Sequence, residues 1–337
     1  MAEAQKFLET GLGRRLKARD HYYPPIKGDE WETTSPSALE WDQLRLNEAV
    51  SFISEHNSTA LLILYKGKIV VEEYWQGWRK DTSMTIFSAG KSVTSTAIGI
   101  AQEQGKLNTG DKMVKYLGKG WSKAPPEKEA LITIRDVLTM TSGLDEQLNY
   151  EKEIGVKWYY NTPAYWNLAH VIERATGNNM SDFLNEFLWS QIGTQFTGWN
   201  GRTVVSCARD MARFGLMIMN NGTWQGKDVL KDKVYLFHAT NKSQDLNQSY
   251  GYLWWLNGGA SYRLPGPDFE KHDGALIPSA PADTFAALGA ADKKIYIVPS
   301  MEIVVVRHGG PSNDTQLAPT RFDSQMWDKL MPAIVPK

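Results

Sequence analysis

The sequence is short of cysteine, of charge imbalance and of long apolar runs, and each shortage excludes something. Cys207 is the only cysteine among 337 residues, so an intrachain disulfide and a thiolate zinc site are ruled out. A lone thiol fits a reducing compartment. Basic and acidic residues number 37 and 38, for a net charge of −1. With no basic stripe, nucleic-acid binding through counterion release is not expected. The six histidines are scattered without metal-ligand spacing, and neither a metal nor an organic cofactor is implied. No run approaches the roughly 18 apolar residues of a membrane-spanning helix. The opening stretch MAEAQKFLETGLGRRLKARD has no apolar h-region, so it does not read as a signal peptide. As written, the chain is expected to be cytoplasmic; removal of a signal peptide would make it periplasmic or secreted. No internal repeat or low-complexity linker is present.

What the chain does hold is core material. Apolar residues make up 42%, enough for one large domain or two closely packed ones. Its 13 tryptophans read chiefly as core, with a few left to line an apolar cleft. RLNEAVSFISEH (45–56) has helical spacing. TALLILYKGKIVVEEYW reads as two strands joined by a tight hairpin at Lys66-Gly67. SVTSTAIGIAQ (92–102) is small or apolar nearly all round, the mark of a buried helix, with Gly105 as its stop. TIRDVLTMTSGL and AYWNLAHVIERATG read as short helices, the latter ending at Gly177. SCARDMARFGLMIMNNG reads as a helix capped by Ser206 and stopped by Asn221-Gly222.

Strand patterns then return in YGYLWWL, TFAALG, KIYIVPS and EIVVVRHG, and RFDSQMWDKLMPAIV closes as an amphipathic helix. Closely spaced consecutive strands imply antiparallel pairing. The expected fold class is therefore α/β (α+β): an antiparallel sheet flanked by helices, with an inserted, mostly helical domain. The expected division is a discontinuous α/β domain, 1–105 with 223–337, around a helical domain, 106–222.

TIFSAGKSVTS (85–95) carries the chemistry and reads two ways. Gly90-Lys91-Ser92 could end a P-loop, but the glycine that loop needs five residues earlier is Thr85, Phe87 is bulky for a phosphate nest, and no strand feeds it. A Gly-x-Ser-x-Gly elbow fails at Ile86. Ser88-x-x-Lys91 needs only a helix, where residues three apart share a face. A buried lysine loses solvation, its pKa falls, and the neutral amine can take the Ser88 proton. The helix N-terminus and the Ser88 N–H would favour an oxyanion.

With that pair in place, the sequence resembles the serine β-lactamase-like superfamily, specifically class C β-lactamase and penicillin-binding-protein-like esterases and amidases. Within it, the resemblance is closest to 6-aminohexanoate-dimer-hydrolase-like members. FSAGKSVTSTAIGIAQEQGKL resembles the family's nucleophile helix and IRDVLTMTSGLD its Thr-Ser-Gly-Leu segment. RDMARFGLMIMNNGTWQGKDVL, YGYLWWL and KIYIVPSMEIVVVRHG are similar to later segments, in order, over about 80–330. The resemblance implies a two-domain fold with the active site at the domain boundary.

It also implies a Tyr-x-Asn motif. Registering on VIERATG puts this at Tyr160-Asn161-Thr162, with Tyr160 as the catalytic tyrosine and Thr162 in the asparagine slot. YWN at 165–167 is the second choice. Trp158, Tyr159 and Trp166 flank this motif as candidate cleft residues. The third motif, usually Lys or His, a small residue and Gly, falls on AALGAADKK. There Ala287-Leu288-Gly289 or Ala290-Ala291-Asp292 fills the slot without a leading Lys or His. Gly289, Ala290 and Ala291 are thus candidate substrate-binding positions, with the Ala290 or Ala291 N–H as an oxyanion donor.

Ser142 reads as a turn residue, His308 as a surface or packing histidine, and Cys207 as buried and inert. The expected activity is hydrolysis of an ester or amide through an acyl-enzyme on Ser88, with Lys91 and Tyr160 moving protons. A β-lactamase or D-Ala peptidase, and a catalytically weak penicillin-binding or sensor protein, are the alternatives. The expected partner is a small-molecule ester, amide or lactam; oligomeric state is not legible.

Overall fold

The computed structural model describes residues 20–266, 269–312 and 319–334. The reading of the first residues as lacking a leader, and the last residue of the closing helix pattern, fall outside that range. The first long helix, α1 (Gln43–Glu55), starts where the Asp42 carboxylate accepts the Arg45 N–H, a side-chain N-cap. Strands β1 (Ser58–Tyr65) and β2 (Lys68–Tyr74) follow. Their turn places Lys66 at φ 49° and Gly67 at φ 83°, the left-handed pair of a tight hairpin. A Cβ on Gly67 would stand 1.9 Å from the Tyr22 carbonyl oxygen, so the turn tolerates no side chain there.

Helices α2 (Gly90–Glu103), α3 (Thr162–Thr176) and α4 (Ala208–Met219) occupy the middle of the chain. Every residue of α2 from Gly90 to Ala101 is buried, as its small and apolar composition predicts. Strands β3 (Trp255–Leu256), β4 (Phe285–Gly289), β5 (Lys293–Val298) and β6 (Ile303–Gly309) come next, and α5 (Arg321–Ile334) closes the described chain. The sheet runs β2-β1-β6-β5-β4-β3, antiparallel at every junction. Register such as Leu62↔Val306 joins the early strands to the late ones.

The period-two alternation of β5 and β6 divides the two helical layers. Lys294 and Tyr296 point to α5, where Asp323 accepts from both, at 2.7 and 2.5 Å. Ile295 and Val304 point the other way, to α4. A Cβ on Gly215 of α4 would meet Val304 Cγ1 at 2.7 Å and Ile295 Cγ2 at 3.0 Å, so a glycine lets this helix lie almost on the strands. No helix among the described residues is long and apolar enough to cross a membrane.

Three local expectations are corrected. YGYLWWL is not a strand over its length. Leu253 adopts φ 61° and the Gly251 N–H bonds the Trp254 carbonyl at 2.9 Å, so the segment folds into a tight turn and only Trp255–Leu256 joins the sheet. Its alternation reflects burial on all sides, not an extended chain. Ser206 does not cap α4: Cys207 holds the cap position without a side-chain bond, and the Ser206 hydroxyl pairs with Thr197 at 2.8 Å. Finally, a strand does lead into the Ser88 stretch: Met84–Thr85 joins Val204–Ser206 and Gly198–Trp199 in a small antiparallel sheet, in strands too short to show a period.

Candidate active site

Ser88 sits in a single turn, Phe87–Ala89, that runs straight into α2. The preceding Phe87 has φ 48° and is 45% exposed. A bulky residue in the left-handed region is strained, and bonds on both sides hold it. The Ile86 N–H reaches the Val204 carbonyl at 3.0 Å, and the Thr203 hydroxyl donates to the Phe87 carbonyl at 2.8 Å. The small sheet therefore anchors the entry to the Ser88 turn.

Helical spacing brings the Lys91 amine to 3.0 Å from the Ser88 hydroxyl, donating to it. Lys91 is 3% exposed. Its amine lies 4.9 Å from the Tyr160 ring centroid and 4.5 Å from that of Tyr165. Aromatic faces favour a cation, yet desolvation prevails, and burial lowers the Lys91 pKa to about 7. Among the described residues no acidic side chain is paired with it. Near neutrality a large fraction of this amine is a free base.

Tyr160 is half-buried, with its ring centroid 4.9 Å from the Lys91 amine. Burial raises its pKa well above that of a free phenol, and the Ser88 hydroxyl only partly offsets this. The phenol therefore stays protonated, which removes a tyrosinate as the resting base. Tyr165 is the neighbouring alternative, but its hydroxyl pairs with Thr94 at 3.0 Å, away from Ser88. Asn161 is the cap of α3. Its side chain accepts the Ala164 N–H at 2.9 Å and donates to the Leu144 and Asp145 carbonyls at 2.9 and 2.8 Å. That leaves the Asn161 amide bound to the backbone, with half-buried Thr162 beginning the helix.

Trp158 does not line an open cleft, contrary to expectation. It is 2% exposed and packs behind Tyr160 against Tyr250, Trp255 and Phe269. Trp255 instead stacks on Tyr160, at 5.8 Å between ring centroids and 24° between planes. Trp166 remains half-buried, with the Arg202 guanidinium 4.4 Å over its ring.

Strand β4 ends against the Ser88 turn. A Cβ on Gly289 would stand 2.3 Å from the Ile86 carbonyl oxygen and 2.9 Å from the Ala89 nitrogen, so only glycine fits this approach. The turn beyond it, Ala290-Ala291-Asp292, has φ 54° at both Ala291 and Asp292. Ala290 is half-buried, whereas Asp292 is fully buried and held by Lys294 at 2.9 Å. Lys293, paired across from Gly289, lies beneath the turn. Its amine is 5.3 Å from the Phe87 ring centroid and donates to the Ala291 and Gly309 carbonyls. Burial first, then Arg307, lower its pKa to about 8.

The remaining singled-out residues lie in the packing. Ser142 is buried in a turn. His308 is buried against Met211, and burial lowers its pKa to about 3. Burial pushes the Cys207 thiol up to about 12. Sequence reasoning missed Thr203 and Lys293 as neighbours of the Ser88 turn and Trp255 as the ring behind Tyr160. No spacing signal ties them to the site, because each arrives from a distant element.

The chain matches the family model described as Beta-lactamase over residues 49–309. The 6-aminohexanoate-dimer hydrolase of Paenarthrobacter ureafaciens is 22% identical over 284 residues, 66% of this chain and 70% of that protein. Among solved structures, a candidate 6-aminohexanoate-dimer hydrolase from Bacillus anthracis superposes with a TM-score of 0.68 at 17% identity, covering 97% of this chain and 92% of the other. A candidate beta-lactamase from Bacteroides dorei gives a TM-score of 0.70 at 15% identity, covering 87% and 99%. These two likenesses concern the fold.

Proposed function

The chain belongs to the beta-lactamase family, and from that premise we propose that it is a serine hydrolase of esters or short-chain amides, with Ser88 as nucleophile. One observation carries the reading: the Lys91 amine is buried, unpaired with any acid among the described residues, and 3.0 Å from the Ser88 hydroxyl. A neutral amine there is a general base.

In the proposed mechanism, Lys91 takes the hydroxyl proton as Ser88 Oγ bonds to the substrate carbonyl carbon. The carbonyl electrons move onto oxygen. The Ser88 N–H and the Ala290 N–H are the proposed donors that stabilise that oxyanion, a reading supported by the close approach of Gly289 to the Ser88 turn. Collapse breaks the ester or amide bond, and the leaving oxygen or nitrogen takes its proton from the Lys91 ammonium, with the Tyr160 phenol as relay. Water then attacks the acyl-enzyme with Lys91 again as base, releasing the acid and regenerating Ser88. The half-buried Tyr160 ring, backed by the buried Trp255, suits an apolar acyl or leaving group. The third-motif slot has no lysine, which ranks β-lactams and D-Ala-D-Ala peptides below simple esters and amides. The relative's name makes 6-aminohexanoate dimer a substrate to include.

A panel of 4-nitrophenyl esters, nitrocefin, a D-Ala-D-Ala peptide and the 6-aminohexanoate dimer tests this. The expected result is turnover of esters, lost in Ser88→Ala. Equal turnover in Ser88→Ala would refute the nucleophile, and a stable Ser88 adduct with no turnover would indicate a sensor instead.

A further inference from the structure

A cation stands near the Ser88 turn without an acidic partner. Gly198–Trp199 and Val204–Ser206 form a hairpin whose tip is closed by two bonds. The Asn200 N–H reaches the Thr203 carbonyl at 3.0 Å, and the Thr203 N–H reaches the Asn200 side chain at 3.1 Å. Arg202 is exposed on this tip.

Two contacts fix it relative to Ser88. The next residue, Thr203, bonds the Phe87 carbonyl at 2.8 Å and lies so close to Gly90 that a Cβ there would sit 2.9 Å from its hydroxyl. The guanidinium itself lies over Trp166, 4.4 Å from the ring centroid. Trp166 directly follows Tyr165, whose ring faces the Lys91 amine. Arg202 thus bridges the two elements that flank the Ser88–Lys91 pair.

Among the described residues it forms no ion pair. A guanidinium stacked on an indole keeps its in-plane N–H donors free, and their fork geometry matches a carboxylate. Stacking also removes much of the side-chain freedom that binding would otherwise freeze.

Building on the serine-hydrolase reading above, we propose that Arg202, stacked on Trp166, is a specificity residue that binds a carboxylate on the substrate. The site then prefers carboxylate-bearing esters or amides to neutral ones of the same shape. It does so from the hairpin side, with no lysine at the third motif. Arg202 bonds only the remote carboxylate, so the chemical step at Ser88 is the same for both substrate types.

The test uses the full-length protein, Arg202→Gln and Arg202→Lys. Two matched pairs place the charge on either side of the scissile bond: 4-nitrophenyl butyrate with mono-4-nitrophenyl glutarate, and phenyl acetate with 4-acetoxybenzoate. The wild type is expected to prefer the carboxylate member of at least one pair. Arg202→Gln is expected to lose about tenfold in kcat/KM for that member, the size of one charge-assisted hydrogen bond, chiefly through KM. Neutral partners should be unaffected and Arg202→Lys should retain part of the preference.

Fluorophosphonate labelling of Ser88 runs in parallel. Labelled Ser88 with no charge preference in either pair, or equal losses on neutral and charged members, overturns the role of Arg202 alone. No labelling and no turnover in the wild type overturns it together with the hydrolase reading.

Discussion

Lys91 faces opposing demands from stability and from chemistry. A lysine lowered to about 7 by burial, against about 10.4 when unfolded, penalises the folded state at neutral pH by several kcal/mol. The sign follows from proton counts. Between about pH 7 and pH 10.4 the unfolded chain binds the extra proton, so this group adds stability as pH rises through that window. Lys91→Met should therefore raise the melting temperature at pH 6–7 by a few degrees while abolishing ester turnover. Thermal scans beside rate assays check both halves. In the wild type, kcat/KM should climb with pH through an apparent pKa near 7 as the amine loses its proton. At this scale the sequence was legible where chemistry follows helical spacing, as in Ser88 and Lys91. It was not legible where function depends on which face a residue takes. Trp158 and Tyr160 are two apart and contact each other, yet one is buried and the other half-buried.

Two glycines show how elements are brought to their places. Gly289 lets β4 reach the Ser88 turn, and Gly215 lets α4 lie on β5 and β6. Gly289→Ala should push the β4 end off the turn, lowering kcat by at least about tenfold and stability by about 1–3 kcal/mol. Gly215→Ala should destabilise by a similar amount but leave kcat per folded molecule nearly unchanged. Denaturant melts and kinetics on both variants separate a site effect from a packing effect. Elements with a strong period, such as α3 with its Gly177 stop and the strands TFAALG, KIYIVPS and EIVVVRHG, were readable from sequence. The small sheet was not, since two- and three-residue strands have no period and Met84–Thr85 pairs with a strand over 100 residues away. YGYLWWL misled because complete burial imitates strand alternation.

At the scale of the whole molecule, a buried charge cluster joins the sheet to the closing helix. Lys294 pairs with Asp292 at 2.9 Å and Asp323 at 2.7 Å, all three 0–1% exposed at the side chain. Burial alone would raise the Asp292 pKa, but Lys294 and Ser312 hold it well below the usual carboxylate range. This contribution is present above the unfolded value of about 3.9 and is lost as pH falls below it. Lys294→Met would leave two buried carboxylates without their cation, with an expected loss of about 3–5 kcal/mol, measured by denaturant unfolding at pH 7. That the sheet draws antiparallel strands from both ends of the chain was legible in the sequence. This cluster was not, because it depends on which face each of Lys293 and Lys294 takes.

The central claim is that Ser88 is the nucleophile, activated by Lys91. Its most direct measurement is intact and peptide mass spectrometry after reaction with a fluorophosphonate. The expected result is a single adduct on Ser88, absent in Ser88→Ala and formed far more slowly in Lys91→Met. No adduct, or an adduct on another residue together with ester turnover that survives Ser88→Ala, would contradict it.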